Sequence, residues 1–136
     1  MLTFSKRLIF IFQPIFRSKI GKKLIVWLLL HMDFALPIDR LYESDTILAF
    51  FHPQPSYPFH VLLIPKSNIP DLQSLNAGQA NLLAEIITTC QKIISDYQLN
   101  QYGYRLIVNG GNYKEYPILH FHLISDEYPQ TTTELT

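Results

Sequence analysis

A short apolar run near the C-terminal end of the chain, residues 118–124, is broken only by His120 and His122. In a β-strand successive side chains point to opposite faces, so these two imidazoles would lie side by side on one face. A histidine on a buried face is unfavourable unless its ring nitrogens find partners. The run therefore predicts a core strand whose histidines bind a metal, form a hydrogen-bond network or act as nucleophiles. The two residues alone leave all three possibilities open.

The first half of the folded region reads as an antiparallel hairpin followed by a third strand. Residues 41–43 and 46–51 have the composition of strands and flank a polar turn at residues 43–45. Residues 52–58 contain several prolines, which lack the backbone N–H that a strand ladder needs. This loop leads into the strongly apolar residues 59–64, which we expect to form a core strand.

One long helix is predicted over residues 76–97. Asn76 and Gln79 have the spacing of a capping box, in which two side chains satisfy backbone N–H groups at the start of a helix. Seven apolar residues then recur at helical spacing, namely Leu82, Leu83, Ile86, Ile87, Cys90, Ile93 and Ile94. We expect this apolar face of the helix to cover a sheet.

Two further strands complete the pattern, at residues 104–108 and at residues 118–124, with a turn at residues 109–112 between them. The order of hairpin, strand, helix and hairpin predicts an α+β fold with one antiparallel β-sheet and a long packed helix. We expect this domain to occupy residues 33–126, followed by a polar tail at residues 127–136.

Residues 1–32 differ in composition from the rest of the chain. They contain six basic residues and no acidic one, the basic residues being Lys6, Arg7, Arg17, Lys19, Lys22 and Lys23. Two apolar runs, at residues 8–16 and 24–32, are each shorter than the roughly 18–20 apolar residues that a spanning helix needs. No small-residue cleavage signature follows either run, so we expect a retained helical extension. A helix of this composition suits contact with an anionic membrane surface, and it suits packing on the protein's own domain equally well.

The overall charge and the cysteine content exclude other classes of function. Eleven basic and eleven acidic residues balance, so no global field attracts nucleic acid and we expect no nucleic-acid partner. Cys90 is the only cysteine, which excludes an internal disulfide and the multi-cysteine zinc patterns. We expect its side chain to be a small buried hydrophobe. We expect a cytoplasmic protein that is at most peripherally attached to a membrane.

Three histidines on core strands raise the question of a zinc site. His60, His120 and His122 could bind zinc with a water molecule as the fourth ligand. A His-x-His pattern is unspecific, however, and no acidic residue stands beside His60 or His120 to orient a metal ligand. We therefore expect neither a metal nor a cofactor.

The ordered set of motifs has a better explanation than any one of them alone. Residues 58–66 read PFHVLLIPK, residues 104–111 read YRLIVNGG and residues 119–124 read LHFHLI, with the long helix between the first two. In this order they resemble the histidine triad family of nucleotide hydrolases and nucleotidyl transferases. The resemblance extends over residues 36–125, and it implies an α+β domain that binds a nucleotide.

The resemblance also implies catalytic roles. In that family the middle histidine of the triad attacks the α-phosphorus of a nucleotide, and the matching position here is His120. The third position is His122, and the first falls on Ile118, which departs from the family pattern. Neutral imidazole is a competent nucleophile near pH 7, provided that one ring nitrogen keeps its proton and the other is free. His122 would donate to the phosphate or the leaving group, and His60 would complete the hydrogen-bond network.

Further residues match positions that contact the substrate in the family. Asn109, Gly110 and Gly111 would face the phosphate oxygens, since glycines allow a close approach of the backbone to an anion. His52 stands where the family usually has an acidic residue that binds the ribose hydroxyls. Residues 113–117 depart from the small, Gln-containing stretch that is usual in the family's phosphate loop, and Lys114 among them could contact phosphate.

Two function classes follow from the resemblance. The first is a hydrolase or nucleotidyl transferase that acts at an α-phosphate through a covalent nucleotidyl-histidine. The second is a catalytically degenerate nucleotide-binding or interaction module, held at a membrane by its basic apolar N-terminal segment. Members of the family commonly form dimers in which two sheets join, so we expect a homodimer.

Overall fold

A computed structural model of the chain describes residues 17–32, 36 and 38–127. This part of the chain contains two α-helices, α1 (Lys19–His31) and α2 (Ala80–Asp96), and five strands, β1 (Arg40–Glu43), β2 (Ile47–Phe51), β3 (Phe59–Pro65), β4 (Arg105–Val108) and β5 (Phe121–Ser125). No helix within the described ranges is long and apolar enough to cross a membrane.

The five strands form one antiparallel sheet in the order β1-β2-β3-β5-β4. Strand β3 lies at the centre of this order and is buried along its whole length, and all its residues except His60 are apolar. The expected α+β fold, with one antiparallel sheet and one long packed helix, is confirmed. Both predicted hairpins pair as antiparallel neighbours.

Helix α2 covers one face of the sheet. The predicted capping box is present at its start, where the side chains of Asn76 and Gln79 accept backbone N–H groups in a short turn that leads into the helix. Ile86, Cys90 and Ile93 on the inner face of α2 are buried against the sheet. Burial raises the pKa of the Cys90 thiol to about 11, so this side chain is an uncharged hydrophobe, as expected.

Helix α1 packs on the opposite face of the sheet. The side-chain oxygen of Ser18 accepts the backbone N–H of Gly21 at 2.9 Å and caps the helix. Val26 and Leu29 of α1 are buried in one apolar cluster with residues of the sheet and of the segment before β5. The other buried members of this cluster are Leu48, Phe50, Leu62, Ile64 and Ile118. One face of α1 therefore packs on the protein's own domain, one of the two alternatives for the extension. The apolar run at residues 8–16 lies outside the described residues.

The last strand begins later than its sequence pattern predicts. Strand β5 begins at Phe121, so Ile118 and His120 precede it, whereas the apolar run predicted a strand from residue 118. The reason is a competing hydrogen bond, because the backbone N–H of Leu119 donates to the carbonyl of Ile69 at 2.7 Å. The segment before β5 is thus held by the loop that follows β3, and the strand ladder starts only at Phe121.

Candidate active site

Strands β3 and β5 bring His60 and His122 onto the face of the sheet that α1 covers. Leu62 pairs directly with His122, and His60 pairs with Ile124, so the two histidines stand diagonally across neighbouring strands. The Nε2 atom of His60 lies 2.9 Å from the Nδ1 atom of His122. A direct hydrogen bond between the two imidazoles follows from this register.

Backbone contacts determine where the hydrogens of this pair lie. The backbone N–H of Ser56 donates to Nδ1 of His60 at 3.1 Å, so this nitrogen carries a lone pair and the ring hydrogen of neutral His60 is on Nε2. His60 therefore donates to Nδ1 of His122, which places the hydrogen of His122 on Nε2. The Nε2 atom of His122 is buried and has no hydrogen-bond partner among the described residues. It is a donor available to a ligand.

His120 is held in the opposite tautomer. Its Nδ1 atom lies 2.8 Å from the backbone carbonyl oxygen of Ile118, and since a carbonyl can only accept, Nδ1 carries the hydrogen. The Nε2 atom of His120 then carries the lone pair. The rings of His120 and His122 are 5.0 Å apart between centroids. A ring with a lone pair on Nε2 therefore neighbours a ring with an available N–H on Nε2.

His52, in the loop after β2, brings a fourth imidazole to the cluster. Its ring centroid is 4.3 Å from that of His60 and 6.4 Å from that of His122. Its Nδ1 atom accepts the backbone N–H of Gln54 at 3.0 Å, so the hydrogen of the neutral ring is on Nε2. The structure thus brings together all four histidines that the sequence analysis selected.

Burial keeps the cluster uncharged. Loss of hydration lowers the pKa of His52, His60 and His122 to about 4, and repulsion between neighbouring imidazolium charges acts in the same direction. Burial also lowers the pKa of His120, although the hydrogen bond to the Ile118 carbonyl opposes this effect. At pH 7 the imidazoles are neutral, which is the form in which a ring nitrogen can attack phosphorus.

A pocket of about 490 Å³ opens beside the imidazoles. His52, His120 and His122 line it, whereas His60 stands behind His122 and lies outside the lining. The rest of the lining is mainly apolar and includes Ile25, Leu29, Leu36, Ile38, Phe50, Leu62, Ile64 and Ile118. Such a pocket offers an apolar surface to a flat or aliphatic group and a polar end to a phosphate.

Helix α1 contributes an unexpected wall to this pocket. Lys22 and Arg17 line it together with Tyr116, and the Nζ atom of Lys22 lies 5.5 Å from the centroid of the Tyr116 ring. The ring of Tyr116 stands edge-on to His120, with 6.3 Å between centroids. The sequence pattern did not point to these residues, since an apolar helical stripe does not reveal which face of a sheet it covers.

The turn after β4 does not contribute to the lining of the pocket. Asn109, Gly110, Gly111 and Lys114 do not line it among the described residues. The Nζ atom of Lys114 instead lies 3.6 Å from a carboxylate oxygen of Asp71. Their predicted contacts with phosphate stay predictions. Within the described ranges no group of three or more His, Cys, Asp or Glu side chains is arranged to hold a metal ion.

The comparison with protein families identifies the fold family. A model of the HIT domain matches residues 34–128, which include all five strands and α2. The chain belongs to the HIT-domain family. The HIT-domain match begins after α1, so the helix that forms one wall of the pocket precedes the matched region.

Individual HIT-domain proteins resemble the chain over most of its length. The purine nucleoside phosphoramidase of Escherichia coli is 32% identical over 88 residues, which cover 65% of this chain and 74% of that protein. The structure of a HIT family hydrolase from Legionella pneumophila superposes with a TM-score of 0.67 at 30% identity, covering 73% of this chain and 90% of that one. A histidine triad protein from Clostridium difficile gives a TM-score of 0.68 at 25% identity, with coverages of 76% and 90%.

Proposed function

We propose that this HIT-domain protein cleaves a nucleoside phosphoramidate or phosphoanhydride at the α-phosphorus, through a nucleotide bound covalently to His120. One observation carries the proposal. His120, with the lone pair on Nε2, and His122, with the hydrogen on Nε2, are neighbouring rings that line the same pocket. The similarity to a purine nucleoside phosphoramidase supports the phosphoramidate as the first substrate to test.

The reaction consists of two displacements at phosphorus. In the first, Nε2 of His120 bonds to the α-phosphorus and the bond to the leaving nitrogen or oxygen breaks, its electron pair going to the leaving group. Solvent supplies the proton that an amine leaving group carries away. In the second, water attacks the phosphorus, the bond to His120 breaks, and the proton that water loses returns to solvent. The net products are the nucleoside monophosphate and the free amine.

The neighbouring histidines support these steps without reacting themselves. The Nε2 hydrogen of His122 bonds to a phosphate oxygen and stabilises the negative charge that accumulates there. His60 is a positioning residue, because its own hydrogen bond fixes the tautomer of His122. His52 lines the pocket with an Nε2–H that can donate to a ribose hydroxyl, and Asn109, Gly110, Gly111 and Lys114 remain candidates for the phosphate side.

We also propose that Ile118 occupies the first position of the triad. Its side chain is buried in the apolar cluster that includes Val26 and Leu29 of α1. What His120 needs from this position is its backbone carbonyl, which the isoleucine supplies as well as a histidine would. The replacement therefore leaves His120 held in the tautomer that the proposed attack needs.

Turnover of adenosine phosphoramidate tests the proposal. We expect the wild-type protein to release AMP, and the His120→Ala variant to be slower by roughly a thousandfold or more, since it lacks the nucleophile. His31→Ala is the matched control, because His31 is an exposed histidine on α1 outside the pocket lining. A wild-type protein that binds AMP but turns over neither the phosphoramidate nor diadenosine polyphosphates would instead support the degenerate binding module.

A further inference from the structure

Helix α1 has a second apolar face, which points away from the sheet. Ile20, Leu24 and Trp27 follow one another at spacings of four and three residues, so they form one stripe on the helix. Their exposed fractions are 82%, 50% and 49%, whereas Val26 and Leu29 on the other side are buried. A soluble helix that packs on its own domain needs only one apolar face, so the outer stripe has no role in the fold described above.

The charges around this stripe all have the same sign. Lys19 and Lys23 are exposed and stand on the polar border of the stripe, and Arg17 precedes the helix. No acidic residue occurs in the first 32 positions of the sequence, and Lys6 and Arg7 add two more positive charges before α1. This combination is typical of helices that lie in a membrane interface, with apolar side chains among the acyl chains and lysines at the headgroups.

We propose that the outer face of α1, made of Ile20, Leu24 and Trp27 with Lys19 and Lys23 beside them, binds the surface of a membrane that contains anionic lipids. Charge favours this occupant over a second copy of the protein. Two α1 faces in a symmetric contact would bring lysines of both copies together, and like charges at close range repel. Anionic headgroups attract the same lysines.

The proposed surface is separate from the catalytic pocket. Lys22, Ile25 and Leu29 on the inner side of α1 line the pocket, whereas the stripe residues and the two flanking lysines do not. Substitutions on the outer face should therefore leave turnover in solution unchanged. Membrane binding and phosphoramidate hydrolysis can in this way be tested independently.

Trp27 is the only tryptophan in the chain and belongs to the proposed contact, so its fluorescence reports directly on membrane binding. The full-length protein is titrated with vesicles of phosphatidylcholine, with or without phosphatidylserine. We expect the emission of Trp27 to shift to shorter wavelength, and to be quenched by brominated acyl chains, only with the anionic vesicles. Added salt should weaken the effect, since it screens the attraction of the lysines.

Two double variants separate the apolar and the electrostatic contributions. Ile20→Ser with Leu24→Ser removes the aliphatic part of the stripe, and Lys19→Gln with Lys23→Gln removes its flanking charges. We expect each pair to weaken vesicle binding roughly tenfold or more, because burial of apolar side chains and attraction to anionic lipids act together. Ile87→Ser is the control, since Ile87 is an isoleucine on α2 at the other face of the sheet and is 47% exposed, about as much as Leu24.

The folding of each variant is checked before its vesicle binding is compared. Helix content from circular dichroism and turnover without vesicles show that each variant is folded. The proposal is overturned if Trp27 emission does not respond to anionic vesicles. It is overturned as well if Ile87→Ser weakens vesicle binding as much as the double variant Ile20→Ser with Leu24→Ser. A blue shift that depends on protein concentration and not on vesicles would indicate self-association and would also overturn it.

Discussion

At the scale of single residues, backbone groups fix the tautomers of the histidine cluster. The N–H of Ser56 holds His60, and the carbonyl of Ile118 holds His120, each through Nδ1. The bonds from Ser56 through His60 to His122 all point the same way, and hydrogen bonds aligned in a chain strengthen one another. The donor at the end of this chain faces the pocket, which is where a phosphate oxygen would need it.

The role of His60 can be tested by changing its hydrogen-bonding groups. His60→Leu removes the donor that fixes His122, so we expect kcat to fall roughly tenfold. This fall corresponds to a rise of ~1.4 kcal/mol in the activation free energy, which is about the size of one hydrogen bond. His60→Gln retains a donor and an acceptor, and we expect it to recover part of the loss. Nitrogen NMR shifts of His122 provide the second readout, since they distinguish its tautomers. Equal kcat for wild type and His60→Leu would refute the positioning role.

The lowered pKa values predict how stability depends on pH. His52, His60 and His122 have pKa values of about 4 in the fold, below the value of about 6.5 in an unfolded chain, so the unfolded state binds more protons between these values. Their contribution to the free energy of unfolding is fully present above pH 6.5 and is lost as the pH falls towards 4. Urea unfolding at several pH values should show this decrease in the free energy of unfolding. His52→Gln should make the free energy of unfolding depend less steeply on pH. Imidazole titrations with midpoints near 6.5 would contradict the prediction.

At the scale of elements, local patterns predicted the strands and α2, because alternation and a capping box are properties of neighbouring residues. The register that joins His60 to His122 was not visible, since it depends on how β3 and β5 pair across a long helix. The start of β5 was predicted wrongly because Leu119 bonds to Ile69, a contact distant in sequence. The wall that α1 contributes to the pocket was not predicted either, because it too depends on contacts between residues that are distant in sequence.

The packing of α1 against Ile118 predicts the effect of placing a histidine at this position. Ile118→His would restore a histidine at the proposed first triad position, but its ring would enter the apolar cluster around Val26 and Leu29. We expect the free energy of unfolding to fall by ~1–3 kcal/mol, the usual cost of burying an unsatisfied polar group. Turnover should not rise, because His120 already has the carbonyl it needs. Higher turnover with unchanged urea stability would show that the missing imidazole limits catalysis.

At the scale of the whole molecule, β4 is an edge strand whose outer side is open to pairing. Tyr104 and Leu106 are exposed there, and β4 carries no bulge, whereas β1 at the other edge has a register shift after Arg40. An unprotected edge can extend a sheet into a second copy. We propose that the expected homodimer forms at this edge.

Light scattering at micromolar concentration tests the dimer. We expect the wild-type mass to be twice that of the chain, and Leu106→Lys to shift it towards the monomer, since charge on an edge strand opposes pairing. Ile87→Lys is the control, because Ile87 is another exposed apolar residue and lies on α2 away from the strand edge, so this variant should remain dimeric. A monomeric wild-type protein would rule out this interface.

The central claim is that His120 forms a covalent bond to the α-phosphorus, and the stereochemical course of hydrolysis tests it most directly. The substrate is a nucleoside phosphoramidate in which sulfur replaces one non-bridging oxygen, so that the phosphorus is chiral. It is hydrolysed in isotope-labelled water, and the configuration of the product is determined by NMR. Each in-line displacement inverts phosphorus, so two displacements through His120 predict overall retention of configuration. A product of inverted configuration would mean that water attacks the substrate directly, and it would contradict the account.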